Sequence, residues 1–220
     1  MRQSLAGLLA SLIIPVGVMA NVSTNLPGEP PGGDFATADL AGWAERSFKG
    51  NTEYRLEEEN GVQVLRGETQ GQASILYREQ KIDLESTPIV EWSWKVNGTY
   101  PGIDERSRNG DDFPARLYVV AKTGFLPWET VAINYVWSSQ SALDEAWPNP
   151  FTDKAQMVVV QSGEEHVGNW VGQRRNVAED FRQYFDLDVA MLSGYAVMVD
   201  GDNADREGTA WFGEIRFSAE

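Results

Sequence analysis

Short apolar runs that alternate with polar residues recur along the chain and limit the folds open to it. A period of two residues is typical of β-strands that bury one face. Turn residues separate the clearest runs, which are Val62–Arg66, Ala73–Tyr77, Ile89–Val96, Ala115–Lys122, Thr130–Trp137, Gln156–Gln161, Asn169–Arg174, Gly194–Asp200 and Ala210–Phe217. Because no long helical pattern alternates with these runs, they predict an all-β, antiparallel sandwich or jelly roll rather than a parallel α/β sheet.

One short helix is predicted among the strands. Asn176 can cap its N-terminus, and Glu179 follows three residues later, as in a capping box. Its apolar face consists of Val177, Phe181 and Phe185. Since this face recurs every four residues, we expect the helix to cover one end of the sandwich and to end at Asp186–Leu187.

The N-terminal segment has the pattern of an export signal. Residues 1–20 place an apolar stretch, Leu5–Val18, after a basic residue and before a small-residue cleavage site that ends at Ala20. The stretch is shorter than the ~20 residues that span a bilayer, so we predict cleavage rather than anchoring. Residues 21–34, rich in proline and glycine, predict a flexible linker, and residues 35–220 a single domain in the periplasm or outside the cell.

Charge and residue usage exclude several classes of function. The chain has 33 acidic and 18 basic residues, a net charge of −15, and this balance disfavours nucleic acid and anionic membrane surfaces as partners. No cysteine is present, which excludes disulfides, thiolate zinc sites and a cysteine nucleophile. A single histidine excludes a multi-histidine metal centre. No G-x-S-x-G motif occurs, and no Walker or dinucleotide-binding glycine motif occurs between a strand and a helix.

Two middle strands carry side chains that suit a sugar ligand. Alternation places Arg116 and Tyr118 on one face of their strand, and Tyr135 and Trp137 on one face of the next. Aromatic rings cover the C–H faces of sugars, while planar polar groups bind hydroxyls or carboxylates. We therefore predict that these four side chains form one surface that binds a glycan or an acidic small molecule.

Charged residues are predicted at one rim of this surface. Asp111 and Asp112 end a long loop, 97–114, and a second long loop covers 138–153; connections of this length are typical of functional or mobile segments. For Asp111 and Asp112, the alternative to a ligand-binding role is an internal ion pair with Arg116 on the following strand. Arg174 precedes the predicted helix, whose positive end favours anions, so it needs either internal carboxylates or an acidic ligand such as a uronic acid.

An Asp-rich turn is a candidate calcium site. Asp200, Asp202 and Asn203 offer oxygen atoms close together in sequence, as calcium requires. An EF-hand loop is excluded, because in a loop that starts at Asp200 the sixth position is Asp205 instead of glycine and the twelfth is Trp211 instead of glutamate. The alternative is a solvated turn whose side chains cap their own backbone, with no cofactor.

Several segments together resemble a known family. They are WSWKV at 92–96, GDDFPARLYVV at 110–120, NYVW at 134–137, RRNVAEDF at 174–181, VMVDGDN at 197–203 and the closing FGEIRF. The chain from about Trp43 to Phe217 is similar to a bacterial family of exported proteins described as a domain of unknown function. This resemblance implies export but transfers no catalytic or binding residue. The segments LAGWAERSFKG and AWFGEIRF also resemble the first and last strands of galactose-binding-like jelly rolls, which implies that form of sandwich.

Three functional hypotheses follow. The first is a secreted, non-catalytic binding domain, which predicts an open groove with exposed rings. The second is an envelope polysaccharide lyase or hydrolase, which predicts a deep cleft where carboxylates, or a tyrosine and an arginine, converge. The third is a scaffold for another envelope protein, which predicts an exposed apolar patch. On the first hypothesis, Arg116→Ala abolishes ligand retention and leaves the melting temperature nearly unchanged.

Overall fold

A computed structural model of the chain describes residues 35, 39–124 and 129–219. In these residues two β-sheets pack face to face, with one α-helix beside them, so the predicted antiparallel β-sandwich of jelly-roll type with one short helix is confirmed. The predicted signal peptide and linker lie outside the described residues. Within the described part of the chain, no helix has the length and apolar character needed to cross a membrane.

The described residues form twelve strands and one helix. In chain order they are β1 (Ala44–Lys49), β2 (Glu53–Glu59), β3 (Val62–Gln70), β4 (Ala73–Asp83), β5 (Ile89–Val96), β6 (Arg116–Lys122), β7 (Thr130–Ser138), β8 (Ala146–Pro148), β9 (Ala155–Ser162), β10 (Val171–Asn176), α1 (Val177–Phe185), β11 (Met191–Met198) and β12 (Glu207–Ser218). The seven-stranded sheet has the order β1-β4-β11-β6-β7-β9-β8, and the five-stranded sheet has the order β10-β5-β12-β3-β2. Neighbouring strands are antiparallel except β7 and β9, which pair in parallel.

The core lies between the two sheets and is built on tryptophan and tyrosine. Trp92 and Trp94 of β5 meet edge to face with ring centroids 5.4 Å apart. Across the sandwich, the ring centroids of Trp92 and Tyr135 lie 5.3 Å apart, and those of Trp94 and Trp137 lie 6.1 Å apart. Tyr135 and Trp137 are both on β7. Rings of this size bury large apolar areas, and their contacts join the two sheets.

Three strands fall outside the nine predicted runs, and all three are edge strands. They are β1, β2 and β8. Every residue of β1 is exposed, β2 is rich in glutamate, and β8 has only three residues, so none shows the alternation of a strand with one buried face. Main-chain pairing with β4, β3 and β9 holds them in place instead.

The helix has the predicted caps. The Asn176 side chain accepts a hydrogen bond from the backbone N–H of Glu179 at 3.2 Å. At the other end, Asp186 has a left-handed backbone with φ of 54° and ends the helix. Val177 and Phe181 are buried in the core. Local capping chemistry therefore determines both helix ends.

Candidate ligand-binding site

The register between β6 and β7 separates the four side chains predicted to form one surface. Tyr118 stands opposite Asn134, so these two share the outer face of the seven-stranded sheet with Arg116. Tyr135 and Trp137 alternate with Asn134 and point into the sandwich, where both are fully buried. The prediction of one shared surface is wrong, because the pairing register places Asn134, and not Tyr135 or Trp137, on the face that carries Tyr118.

Tyr135 belongs to a buried polar network instead. Its hydroxyl donates a hydrogen bond to Asp180 at 2.7 Å, and Arg175 donates two to the same carboxylate, at 3.0 and 2.7 Å. Burial raises the pKa of Tyr135 well above its ordinary value, so the phenol keeps its proton. The Trp137 indole donates to the carbonyl oxygen of Gly163 at 3.1 Å. These groups hold the helix and sheets together and are closed to a ligand.

Arg174 also lies away from the predicted surface. It is on β10, at the edge of the five-stranded sheet, with its Nε 3.6 Å from a carboxylate oxygen of Glu91. The prediction that Arg174 joins Asp111 at a rim is wrong, because Arg174 lies on β10 of the five-stranded sheet, whereas Asp111 lies in the loop before β6, a strand of the other sheet. Its neighbour Arg175 points inward and forms the internal carboxylate pair that was the alternative for this region.

A recess of about 350 Å³ opens on the outer face of the seven-stranded sheet. Six of the predicted site residues line it: Asp111, Arg116, Tyr118, Asp200, Asp202 and Asn203. The recess is also lined by Phe48, Asn134, Asn149 and Phe151. The structure therefore brings three of the seven predicted ligand residues and all three predicted calcium residues together at one place, which we call the first recess.

Two exposed aromatic rings flank the first recess. Phe48 on β1 is 57% exposed and Phe151, in the loop between β8 and β9, is 49% exposed. They approach from opposite edges of the sheet, and the half-buried Tyr118 lies on a central strand between those edges. Sequence reasoning missed both phenylalanines, since Phe48 lies on β1, which has no alternation, and Phe151 lies in a loop. The length of loop 138–153 was the one signal that pointed toward Phe151.

Arg116 is the centre of a buried ion network. Its guanidinium donates two hydrogen bonds to the carboxylate of Asp200, one of them at 2.8 Å, and one each to the carboxylate and the backbone carbonyl of Asp111. The three residues are at most 4% exposed. Four of the five N–H groups of the arginine are thus engaged within the protein. The structure contains the internal ion pair that was the alternative to a ligand-binding role.

Crowded carboxylates shape the electrostatics of this network. Burial raises the pKa of Asp200 to about 7, and the adjacent Arg116 opposes this rise. Burial also raises the pKa of Asp111 and of Asp202 above their ordinary value. Several acidic groups thus share one buried guanidinium, and its positive charge stabilises their ionised forms.

Asp112 closes the Asp-rich turn that follows β11. Its carboxylate accepts hydrogen bonds from the backbone N–H groups of Asn203, at 3.1 and 3.2 Å, and of Ala204, at 2.6 Å. The side-chain amide of Asn203 donates to the same carboxylate at 3.1 Å. Asp112 therefore accepts hydrogen bonds from the main chain of the turn. In the alternative given for this segment, the side chains of the turn cap its own backbone, whereas here the capping carboxylate comes from the loop before β6.

The candidate calcium ligands differ partly from those predicted. Carboxylate oxygens of Asp112, Asp200 and Asp202 lie within 4.8 Å of one another. The amide nitrogen of Asn203 donates to Asp112, and Asp112 adds a carboxylate to the predicted ligands Asp200 and Asp202. Hydrogen bonds from Arg116 and from the backbone already compensate the charge of two of these carboxylates. Calcium binding here stays a prediction.

A family model covers most of the described domain. Residues 41–216 match the family described as "Protein of unknown function (DUF3047)". The chain belongs to this family. This match confirms the resemblance to a family of unknown function that the sequence predicted. A search of curated proteins finds no significant match.

Solved structures with a similar fold include sugar-binding proteins and an enzyme domain. TmCBM61, solved in complex with β-1,4-galactotriose, has a TM-score of 0.42 and 11% identity, covering 90% of this chain and 100% of that one. CBM28, a carbohydrate-binding module specific for non-crystalline cellulose, has a TM-score of 0.44 and 14% identity, covering 87% and 98%. The enzymatically active domain of tailspike protein 4 of bacteriophage CBA120 has a TM-score of 0.39 and 7% identity. The alignment covers 82% of this chain but only 20% of that tailspike chain.

Proposed function

We propose that this DUF3047 protein is an exported, non-catalytic domain that binds a glycan in the first recess. The observation that carries this proposal is the pair of exposed rings, Phe48 and Phe151, flanking the half-buried Tyr118. Aromatic rings in an open depression offer apolar faces on which the C–H faces of a sugar can stack.

Amide groups in the recess support a ligand rich in hydroxyl groups. Asn134 is 1% exposed, and no donor among the described residues reaches its side-chain oxygen. A buried acceptor without a donor costs about 1–3 kcal/mol, so a hydroxyl group delivered by a ligand or by water is favourable there. Asn149 and Asn203 add side-chain amides to the same lining.

The state of the carboxylates supports binding without catalysis. Asp111 accepts hydrogen bonds from Arg116 and from Asn149, and Asp200 is held by Arg116. A glycosidase needs one carboxyl group free to protonate the leaving group and a second to act as base or nucleophile. Here these side chains are engaged in holding the sandwich together.

One observation favours a hydrolase as the second candidate. Burial raises the pKa of Asp200 to about 7, close to the value that suits a general acid at neutral pH. Asp200 is, however, 1% exposed and tied to Arg116. We therefore rank catalysis below binding, and the test of binding includes a search for products.

Export forms part of the proposal. The segment 1–20 has the pattern of a cleaved signal, which supports a location in the periplasm or outside the cell. The net charge of −15 disfavours nucleic acid as a ligand. An extracellular or envelope glycan fits both the location and the charge.

A glycan array followed by calorimetry tests the proposal. We expect the protein to retain a glycan and each of Phe48→Ala and Phe151→Ala to weaken binding roughly 2- to 13-fold, the equivalent of about 0.5–1.5 kcal/mol per ring contact. Leu143→Ala is the matched control, because Leu143 is 51% exposed and does not line the recess. New reducing ends or unsaturated products would overturn the non-catalytic assignment. Retention of no glycan, or equal losses in all three variants, would overturn the binding site.

A further inference from the structure

A second recess lies on the same face of the seven-stranded sheet, next to the first. It has a volume of about 360 Å³, and Tyr118 lines both recesses. Strand pairing places Tyr77 of β4, Ala196 of β11 and Tyr118 of β6 in one row across the sheet. The small Ala196 leaves a depression between the two tyrosines, and we call the two adjacent recesses, which share Tyr118, the groove.

The groove is long enough for several sugar units. Arg116 lines the first recess and Lys122 lines the second, both on β6. Six residues of antiparallel strand extend roughly 20 Å at about 3.4 Å per residue. A ligand that occupies both recesses is therefore an oligosaccharide rather than a single sugar.

The charge of the second recess differs from that of the whole protein. Arg46, Arg78 and Lys122 line it, and Glu79 is the one carboxylate among its described lining residues. The molecule as a whole carries a net charge of −15. A local excess of cations in such an acidic protein attracts an anionic group and leaves the remaining surface repulsive to dense polyanions.

We infer that the second recess binds a carboxylate of the same glycan, so that the ligand is a uronate-containing polysaccharide. This inference rests on the proposed function of the first recess. Sugar rings stack at Phe48 and Phe151, while carboxylates along the chain reach Arg46 and Lys122. Spaced single carboxylates fit these few cations, because a guanidinium binds one carboxylate with two parallel hydrogen bonds.

Paired oligosaccharides of equal length, one neutral and one carrying uronates, test the inference by calorimetry with the whole protein. We expect the wild type to bind the uronate form more tightly, with an advantage that shrinks as salt is added. Each exposed ion pair contributes about 0.2–1 kcal/mol, so a variant with both Arg46→Gln and Lys122→Gln should bind the uronate form roughly 2- to 30-fold more weakly. Lys122→Gln alone should weaken binding of the uronate form more than binding of the neutral form, since glutamine keeps a hydrogen-bond donor at this position and removes only the charge.

Arg216→Gln is the matched control, because it changes an exposed arginine of the five-stranded sheet. Equal affinity for both oligosaccharides, or a loss in the double variant no larger than in the control, would overturn the uronate inference and leave glycan binding intact. Binding of neither oligosaccharide would overturn the proposed function and the inference with it. A melting temperature equal to that of the wild type confirms that the variants are folded.

Discussion

Replacing Arg116 by methionine tests whether the buried ion network stabilises the sandwich. The arginine is 2% exposed and makes four hydrogen bonds to Asp111 and Asp200. Methionine keeps a long side chain but removes the charge and the donors. Breaking a buried ion pair from one side costs about 3–5 kcal/mol, because the remaining charge is left uncompensated. For a domain of this size the melting temperature should fall by roughly 6–20 °C.

The loss should depend on pH. With Arg116 in place, the pKa of Asp200 is already about 7 because of burial. Without the arginine, protonation is the way left for Asp200 and Asp111 to avoid a buried charge. The free energy of unfolding of Arg116→Met should therefore lie closer to the wild-type value at pH 5 than at pH 8. Urea unfolding followed by tryptophan fluorescence at the two pH values measures both differences.

Arg182→Met provides the matched control. Arg182 pairs with Asp188, but the two side chains are 57% and 86% exposed, so this pair contributes less than about 1 kcal/mol. A loss for Arg116→Met at pH 8 no larger than that of the control would refute the reasoning. It would also restore the sequence-based expectation that Arg116 can be removed with little effect on the melting temperature.

Two further predictions concern the same end of the sandwich. Burial raises the pKa of Asp200 from 3.8 to about 7, so the folded state binds more protons than the unfolded state between about pH 4 and 7. The contribution of Asp200 to stability is thus lost as the pH rises through that window. In urea unfolding, the free energy of unfolding should decline with rising pH, and Asp200→Asn should reduce this decline. A wild-type free energy of unfolding that rises from pH 5 to pH 8 would contradict this. Excess EDTA should leave the melting temperature unchanged, because Arg116 and backbone N–H groups already compensate Asp200 and Asp112. A calcium-dependent rise of several degrees in a thermal melt would contradict this and favour the candidate calcium site at Asp112, Asp200 and Asp202.

Central strands could be predicted from sequence because each buries one face. The run Ile89–Val96 became β5 with the same ends, and its two tryptophans lie in the core as alternation requires. Edge strands such as β1 bury no face, so the hydrophobic pattern carries no signal there. The ring of Phe48 was missed for this reason, although it is one of the two exposed rings that characterise the first recess.

The pairing register could not be predicted from local sequence. Alternation shows that Tyr135 and Asn134 point to opposite sides of β7, but only pairing with β6 determines which of them joins Tyr118. The tyrosine appeared suited to a ligand because it carries a polar hydroxyl. Asp180, from the helix, satisfies that hydroxyl inside the core at 2.7 Å. Such a partner, 45 residues away in sequence, is visible only once the fold is known.

The ion network and the first recess depend on one another. Arg116 ties β6 to Asp200 at the end of β11, and Asp112 holds the turn that carries Asp202 and Asn203 into the lining of the recess. Sequence reasoning assigned these residues to ligand binding, whereas most of their polar atoms serve the protein itself. Because the ion network already orders this wall of the recess in the free protein, no conformational entropy is lost there when a ligand binds. This favours a ligand held by stacking and by a few amide groups. If the proposed function holds, a residue of the network influences affinity through the shape of the recess, while Phe48 and Phe151 influence it by direct contact.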